Sequence, residues 1–590
     1  MAQKQTVERR ALGSDWNERR ADGYDIVVIG SGYGGAVTAA RLATADWGGS
    51  KPSLCILERG KEWLPGQFPD ELGDGARAVR RPDNPLGLHE ILFGVDIAVW
   101  QGSGLGGTSL INANVAIEPD PEVFDHPQWP QAIRQFRDSG AMQACFDRVR
   151  TTLASGRHPQ GGDLSKIKAL EKGQQGVAGA DFDLADIVVN FQTDGQNRWG
   201  VRQQPCINCG DCVTGCNVGA KNTLDTNYLA IAKSGGADIF PQVEVERIEK
   251  NAAGGYLVHC IRRRTDPASS EGATIPARQA VVVSAGSPGS AAILLRSREQ
   301  GLSLPDTLGG RFSGNGDFFG IAYNSDARTD TLGWGAYPTS RRARRIQPGP
   351  GPTRHPGPTI VARIKYNTHQ PLGKRITLED VSFPLTYVDA ARAAFVLAIG
   401  RDTDPDDFFD NVRETGRRGR DLFALDPHLE KGALNHTLMY LVIAHDDAGG
   451  RIELEPDTKR PKIRWPGVGN QNIFQEANQL MLGHATALGA TYLENPTWAF
   501  APLRTLVTVH PLGGCPMGES HAAVVVNDAG QVFDGQGHVH EGLYVADASI
   551  VPTSIGVNPF LTISALAERI AEHLITRLGG TPVVVASTTF

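Results

Sequence analysis

The two ends of this sequence carry pieces of one nucleotide-binding unit. IGSGYGG (Ile29 to Gly35) ends the apolar run YDIVVIG and opens the small-residue helix pattern AVTAARLA (Ala36 to Ala43). LCILERG (Leu54 to Gly60) reads as a second strand, so the opening segment predicts a βαβ unit. Near the other end lie HPLGGCPMG (His510 to Gly518) and GLYVADASIVPTSIGVNPF (Gly542 to Phe560). The second of these is a last strand running into a closing amphipathic helix, with Ile563, Leu566, Ile570 and Leu574 at helical spacing. A chain built this way leaves the nucleotide fold and comes back to it. A ligand gripped by both ends is long, held at an adenine end by one and at a reactive ring by the other, and the simplest such ligand is FAD.

The 590 residues, 40% of them hydrophobic, are enough for a large core and more than one lobe. A net charge of −7 without a long basic run argues against a nucleic-acid surface. No stretch reaches the ~18 to 20 apolar residues of a transmembrane segment. Residues 1–22 mix charges of both signs with no apolar segment, so they read as a mobile leader with no signal peptide, and the expected compartment is the cytoplasm. ARQAVVVSAGSPGSAAILLRS (Ala277 to Ser297) repeats the strand, turn and helix theme. The predicted fold is α/β (α+β overall). A Rossmann-like FAD-binding domain is drawn from 23–125, 205–325 and 500–580; a mixed-sheet substrate-binding and capping domain comes from 126–204 and 326–499, and 581–590 form a tail.

Each glycine of the fingerprint has a separate duty. Gly30 permits the turn out of the strand, Gly32 lets backbone approach a pyrophosphate, and Gly35 allows close helix packing, which points the helix N-terminus at the phosphates. Glu58, ending the second strand, can accept hydrogen bonds from ribose hydroxyls. A second loop, GSGLGGTSLINANVAIEP (Gly102 to Pro119), can lie flat against a planar ring at Gly106 and Gly107, while Asn112 and Asn114 offer amides to ring oxygens and nitrogens. Taken alone, this second loop is equally an ordinary Gly-rich surface turn.

Together, IGSGYGG with Glu58, GSGLGGTSLINANVAIEP, VVVSAGSPGSAAILLRS, HPLGGCPMG and GLYVADASIVPTSIGVNPF resemble the glucose-methanol-choline flavoprotein oxidoreductases, in particular their cholesterol oxidase-like branch. The motifs stand in that family's order and cover the FAD lobe better than the cap. The resemblance implies FAD contacts at Tyr33, Gly34, Glu58, Gly107, Asn112, Val115, Val243, Asp547 with its neighbour Ala548, and Phe560. It implies hydride transfer from an alcohol carbon to flavin N5, with His510 as the base and Asn558 as its partner across the substrate oxygen. Read without their neighbours, His510 is a satisfied core histidine and Asn558 a helix N-cap before Pro559. Cholesterol oxidases also use a carboxylate to move a proton; the candidate here is Glu379 in ITLEDVSFP, which with Asp380 otherwise reads as an exposed acid pair at a strand end.

CINCGDCVTGC places Cys206, Cys209, Cys212 and Cys216 at C-x2-C-x2-C-x3-C spacing, that of a bacterial ferredoxin run. An iron-sulfur cluster, zinc, or four partly buried thiols in a Gly-rich turn are the alternatives. The choice bears on the electron acceptor, which is oxygen without a cluster and a redox-partner protein with one. Three functions stay open: an FAD-dependent alcohol oxidase or dehydrogenase acting on a hydrophobic, sterol-like or polycyclic alcohol; a flavin-containing lyase or isomerase; and an electron-carrying protein without alcohol turnover.

Overall fold

The structure, a computed structural model, describes residues 7–71, 73–336, 355–391, 412, 413, 415–417, 419, 420, 432–499 and 504–585. The first six residues of the expected leader, the last five of the tail, residues 500–503 and much of 326–431 lie outside the described residues.

The two chain ends meet in one sheet. Its strands run in the order Gln531–Phe533, Val539–Val545, Glu271–Val283, Tyr24–Ile29, Leu54–Leu57 and Asp238–Phe240. Tyr24–Ile29 pairs in parallel with both 271–283 and 54–57, and 271–283 pairs in parallel with 539–545. Val27, Val28 and Val281 to Val283 are fully buried, which is why these strands read as continuous apolar runs rather than alternating ones. Each such valine contributes roughly 1.5–3 kcal/mol of burial. Helix Tyr33–Thr44 packs against the closing helix Phe560–Arg577 and against Tyr228–Ser234 on one face. Gly34 lets the start of this helix lie against the end of the late strand: a Cβ there would lie 1.6 Å from the carbonyl oxygen of Ala546.

The second sheet orders Thr491–Glu494, Phe318–Tyr323, Leu438–Ala444, Ile376–Val381, Ala362–Tyr366 and Ala180–Leu184, all antiparallel. Alternation divides its faces. Gly320, Tyr440 and Asp380 turn toward helices Asn472–Ala487 and Ser165–Gly173; Gly320 abuts Met481 and Tyr440 meets His484 edge-on. Phe319, Leu441, Met439 and Val381 turn toward the nucleotide lobe. Asp380 is fully buried and forms a 2.7 Å ion pair with the equally buried Lys166, so the acid pair of ITLEDVSFP sits inside the sheet rather than exposed at a strand end. The Lys166 ammonium also donates to the carbonyl oxygens of Pro358 and Thr359, completing the partners a buried cation needs.

Three parts of the chain are placed differently from expectation. Residues 7–22 are not a free leader: Val7, Leu12 and Trp16 are buried, and Arg9 pairs with Asp225 at 2.9 Å. Helices Gln131–Asp138 and Ala141–Leu153, expected in the cap, lie beside the closing helix, where Arg148 and Arg41 share Glu568 at 3.1 and 3.2 Å. Strand 318–323, counted with the nucleotide segments from sequence, belongs to the cap sheet.

A small third sheet joins the lobes. Leu506–Thr508 pairs in parallel with Ile97–Gly102, which forms a hairpin with His89–Phe93. The chain leaves this strand directly into Val509 and His510.

Candidate active site

A single cavity of about 1010 Å³ runs between the lobes, at the upper end of the roughly 300–1,000 Å³ range of ligand pockets. Gly30, Gly32, Tyr33, Gly34 and Glu58 line one end with Val243. Gly107, Asn112, Asn114 and Val115 line its middle, as do Asp547, Ala548 and Phe560. His510 and Asn558 stand in the same wall. Gly35 and Gly106 lie one layer behind it. A Cβ on Gly35 would meet the Gly30 carbonyl oxygen at 2.0 Å, so its duty is packing, as the fingerprint implies.

The nucleotide end is held together by two acids. Glu58 accepts from the backbone and hydroxyl of Ser31 at 3.1 and 2.6 Å and from the Gly60 amide at 2.8 Å; the Gly106 amide in turn donates to the Ser31 hydroxyl. Glu58 thereby locks the two glycine loops to each other. Burial lifts its carboxyl above the usual range, opposed by these donors. Asp547 accepts from the Gly286 amide and Ser290 hydroxyl through one oxygen and from Ser549 through the other, pinning the repeated strand-turn-helix element to the late strand.

These residues fit FAD on three observations. Gly32 has nothing within 4 Å of where its Cβ would stand, so the fingerprint loop opens onto space that a phosphate can enter. Asn112 Oδ1 and both amide atoms of Asn114 are buried without any hydrogen-bond partner among the described residues, which a polar ring edge would supply. Tyr33 stacks on Phe560 with ring centroids 4.7 Å apart, and its hydroxyl accepts from Asn112 at 2.8 Å, so residues from three distant motifs form one wall.

At the other end His510 Nδ1 lies 2.7 Å from Asp317 Oδ1, and the other Asp317 oxygen accepts from the backbone of Val509 and His510 and from the Thr508 hydroxyl. Asp317 is fully buried, and a histidine holding a carboxylate through Nδ1–H leaves Nε2 with a lone pair toward the cavity. Burial works against a charged imidazole, but the Asp317 carboxylate outweighs it and raises His510 above its ordinary value. Asn558 donates from Nδ2 to Glu379 Oε2 at 3.2 Å. It is not the N-cap of the closing helix, which begins at Phe560 after Pro559. Burial pushes Glu379 up to about 8, so it carries a proton at neutral pH. Glu379 stands behind Asn558 rather than in the cavity wall. Asn558 Oδ1 and Glu379 Oε1 are buried with no partner among the described residues.

His510, Asn558 and Glu379 are therefore brought together as the sequence suggested. Asp317 was missed: a lone acid in GNGDFFG carries no spacing signal, and only the ladder of the cap sheet brings it to His510.

The cysteine run is built otherwise. All four thiols are free, and among the described residues no three or more His, Cys, Asp or Glu side chains converge as a metal site. Burial, together with the neighbouring thiols of the run, raises Cys206, Cys209 and Cys212 above the usual thiol range. The polar residues within and after the run carry its structural load. Asp211 accepts from the Leu385 and Gly335 amides, and buried Lys221 donates to the carbonyl oxygens of Cys212 and Asn112, tying the turn to the cofactor loop.

Comparison with known proteins agrees with this geometry. A cholesterol oxidase of Acinetobacter baumannii is 26% identical, covering 93% of this chain and 94% of that protein. One from Mycobacterium tuberculosis is also 26% identical, over 93% and 90%. A long-chain-alcohol oxidase of Arabidopsis thaliana is 24% identical over 94% of this chain and 67% of its own length. The solved pyridoxine 4-oxidase from Mesorbium loti shares the fold, with TM-score 0.54 and 16% identity over 93% of this chain and 98% of that one. The GMC oxidoreductase family models match residues 24–302 and 470–567. With its nucleotide cradle and its His510 wall both inside those matched segments, this chain belongs to the GMC oxidoreductases, a family of FAD-dependent enzymes acting on CH–OH donors.

Proposed function

We propose that the protein oxidises the CH–OH group of a bulky hydrophobic alcohol to a ketone or aldehyde. The observation that carries this reading is one cavity with a nucleotide cradle at one end and, at the other, a histidine whose free nitrogen faces an apolar chamber beside two unpartnered polar atoms. When bound, FAD supplies the acceptor for the hydride leaving the carbinol carbon. The chain's own residues do the rest. His510 Nε2 takes the hydroxyl proton, Asp317 fixes the tautomer and stabilises the charge that develops on the ring, and Asn558 orients the hydroxyl by donating the second hydrogen of Nδ2 to its oxygen. Glu379, protonated and buried, positions Asn558 through its 3.2 Å hydrogen bond. Phe319, Leu441, Met439 and Val381 supply the apolar floor on which a hydrophobic skeleton displaces water.

The names of the relatives favour sterols and long-chain alcohols as substrates and oxygen as the final acceptor. For the route to a redox partner through an iron-sulfur cluster, no converging ligand set is found among the described residues at the cysteine run. An anaerobic screen of sterols, polycyclic, long-chain and sugar alcohols against the FAD-loaded protein tests the proposal. Loss of flavin absorbance with hydrophobic alcohols supports it; no loss with any member of the panel contradicts it.

A further inference from the structure

A donor at the far end of the chamber has no partner of its own. Asn495 ends strand 491–494 and is 5% exposed. Its Oδ1 accepts from the Thr497 amide at 3.1 Å and the Thr497 hydroxyl at 2.9 Å, and its carbonyl oxygen accepts from Trp498. Its side-chain NH2 group makes no hydrogen bond among the described residues, and the residue lines the cavity. Capping accounts for the oxygen of this amide and leaves the nitrogen without a duty.

The ladder fixes where that nitrogen lies relative to the reacting end. Glu379 is paired with Leu441, and Leu441 with Phe319. Gly320 is paired with Glu494, so Asn495 falls opposite Phe319 one step further along. Asn495, Phe319, Leu441 and Glu379 thus form one cross-strand row on the face that floors the chamber. Three strand spacings of about 4.8 Å separate its ends, a span on the order of 14 Å. Allowing for a hydrogen bond at each end, a molecule bridging them carries its second oxygen roughly 9 Å from the hydroxyl. In that row Leu441 and Phe319 lie between the two, and their side chains offer no hydrogen bond.

We infer that Asn495 is a specificity residue: the preferred substrate is a rigid, apolar alcohol bearing a hydrogen-bond acceptor, such as a ketone, at the end opposite the oxidised hydroxyl, and the Asn495 amide donates to it. This deepens the alcohol-oxidising reading and rests on it.

The test compares two flat fused-ring secondary alcohols, one with a ketone roughly 9 Å from the hydroxyl and one with a methylene in its place. Equilibrium binding to FAD-loaded protein and anaerobic flavin reduction are measured for each. Wild-type protein is expected to favour the hydroxy-ketone by roughly three- to tenfold in Kd and kcat/KM, the worth of one hydrogen bond of about 0.5–1.5 kcal/mol. Asn495→Asp keeps the capping oxygen and replaces the donor by an acceptor, so the preference is expected to vanish or invert; melting temperature checks that the fold is kept. Asn495→Ser, a second capping residue without the amide, is expected to abolish the preference as well. Wild-type protein that oxidises both alcohols equally well, or variants that keep the preference, overturn this inference alone. Failure of both alcohols to bind or to reduce the flavin overturns the alcohol-oxidising reading with it.

Discussion

His510 and Asp317 set the pH behaviour of the reaction. The base has to be unprotonated, and Asp317 raises the pH at which the ring loses its proton. Activity is therefore expected to rise with pH through a value above the ordinary 6.5 of an imidazole. Asp317→Asn removes the carboxylate, so the acid limb of kcat moves to lower pH while kcat itself falls, because the ring loses the partner that fixes its tautomer. A pH–rate profile of the two proteins checks both; an unmoved limb contradicts the pairing. His510→Ala is expected to lower kcat roughly 10²- to 10⁴-fold, with FAD content unchanged in the absorbance spectrum. At the same scale Gly32 and Gly34 separate ligand from fold. Gly32→Ala puts a methyl into open space in the protein alone, so melting of the apoprotein should not change, while FAD titration should show binding weakened roughly five- to hundredfold by overpacking against the phosphates. Gly34→Ala drives a methyl into the Ala546 carbonyl oxygen and is expected to prevent folding in either state.

Among the elements, the hairpin formed by 89–93 and 97–102 carries the strand that leads into His510, and Glu90 anchors it. Glu90 accepts from Arg59 at 2.5 Å, Arg80 at 2.7 Å and Gln101 at 2.8 Å. Burial alone would raise this carboxyl, but Arg59 and Arg80 hold it at about 2. Its folded value thus lies below the ordinary 4.5, so its stabilisation is complete above about pH 4.5 and lost as pH falls toward 2. Glu90→Gln is expected to cost about 3 kcal/mol at pH 7, measured by denaturant unfolding, with the gap to wild type narrowing below pH 4.5; a constant gap at all pH values would point to packing instead. The elements also show where sequence was a good guide. The fingerprint strand, its helix and the closing helix were readable because their apolar spacing and glycines are local signals. Asp317 was not, since its role exists only after a cap strand and a nucleotide-lobe strand are brought side by side. At the cysteine run the ferredoxin-like spacing is a signal along the chain that does not by itself impose convergence in space, and Asp211 and Lys221 tie that turn to its neighbours.

Across the whole molecule, the chain's return to its first sheet makes one cavity out of parts far apart in sequence. The last strand brings Asp547, Asn558 and Phe560 against Gly34 and Tyr33; the cap sheet brings Glu379 and Asp317 to the same place. Strand 318–323, grouped from sequence with the nucleotide segments, pairs instead inside the second sheet between 491–494 and 438–444, since a buried antiparallel strand has the same short apolar pattern as a strand of the first sheet. The central claim is that this shared cavity holds a cofactor and an alcohol such that His510 takes the hydroxyl proton as the carbinol C–H bond breaks. Stopped-flow anaerobic reduction of wild type and His510→Ala, with a hydrophobic alcohol protiated or deuterated at its carbinol carbon, tests it most directly. The account predicts reduction slowed by deuterium in the wild type and by several orders of magnitude without the imidazole; a rate that is indifferent to both changes would contradict it.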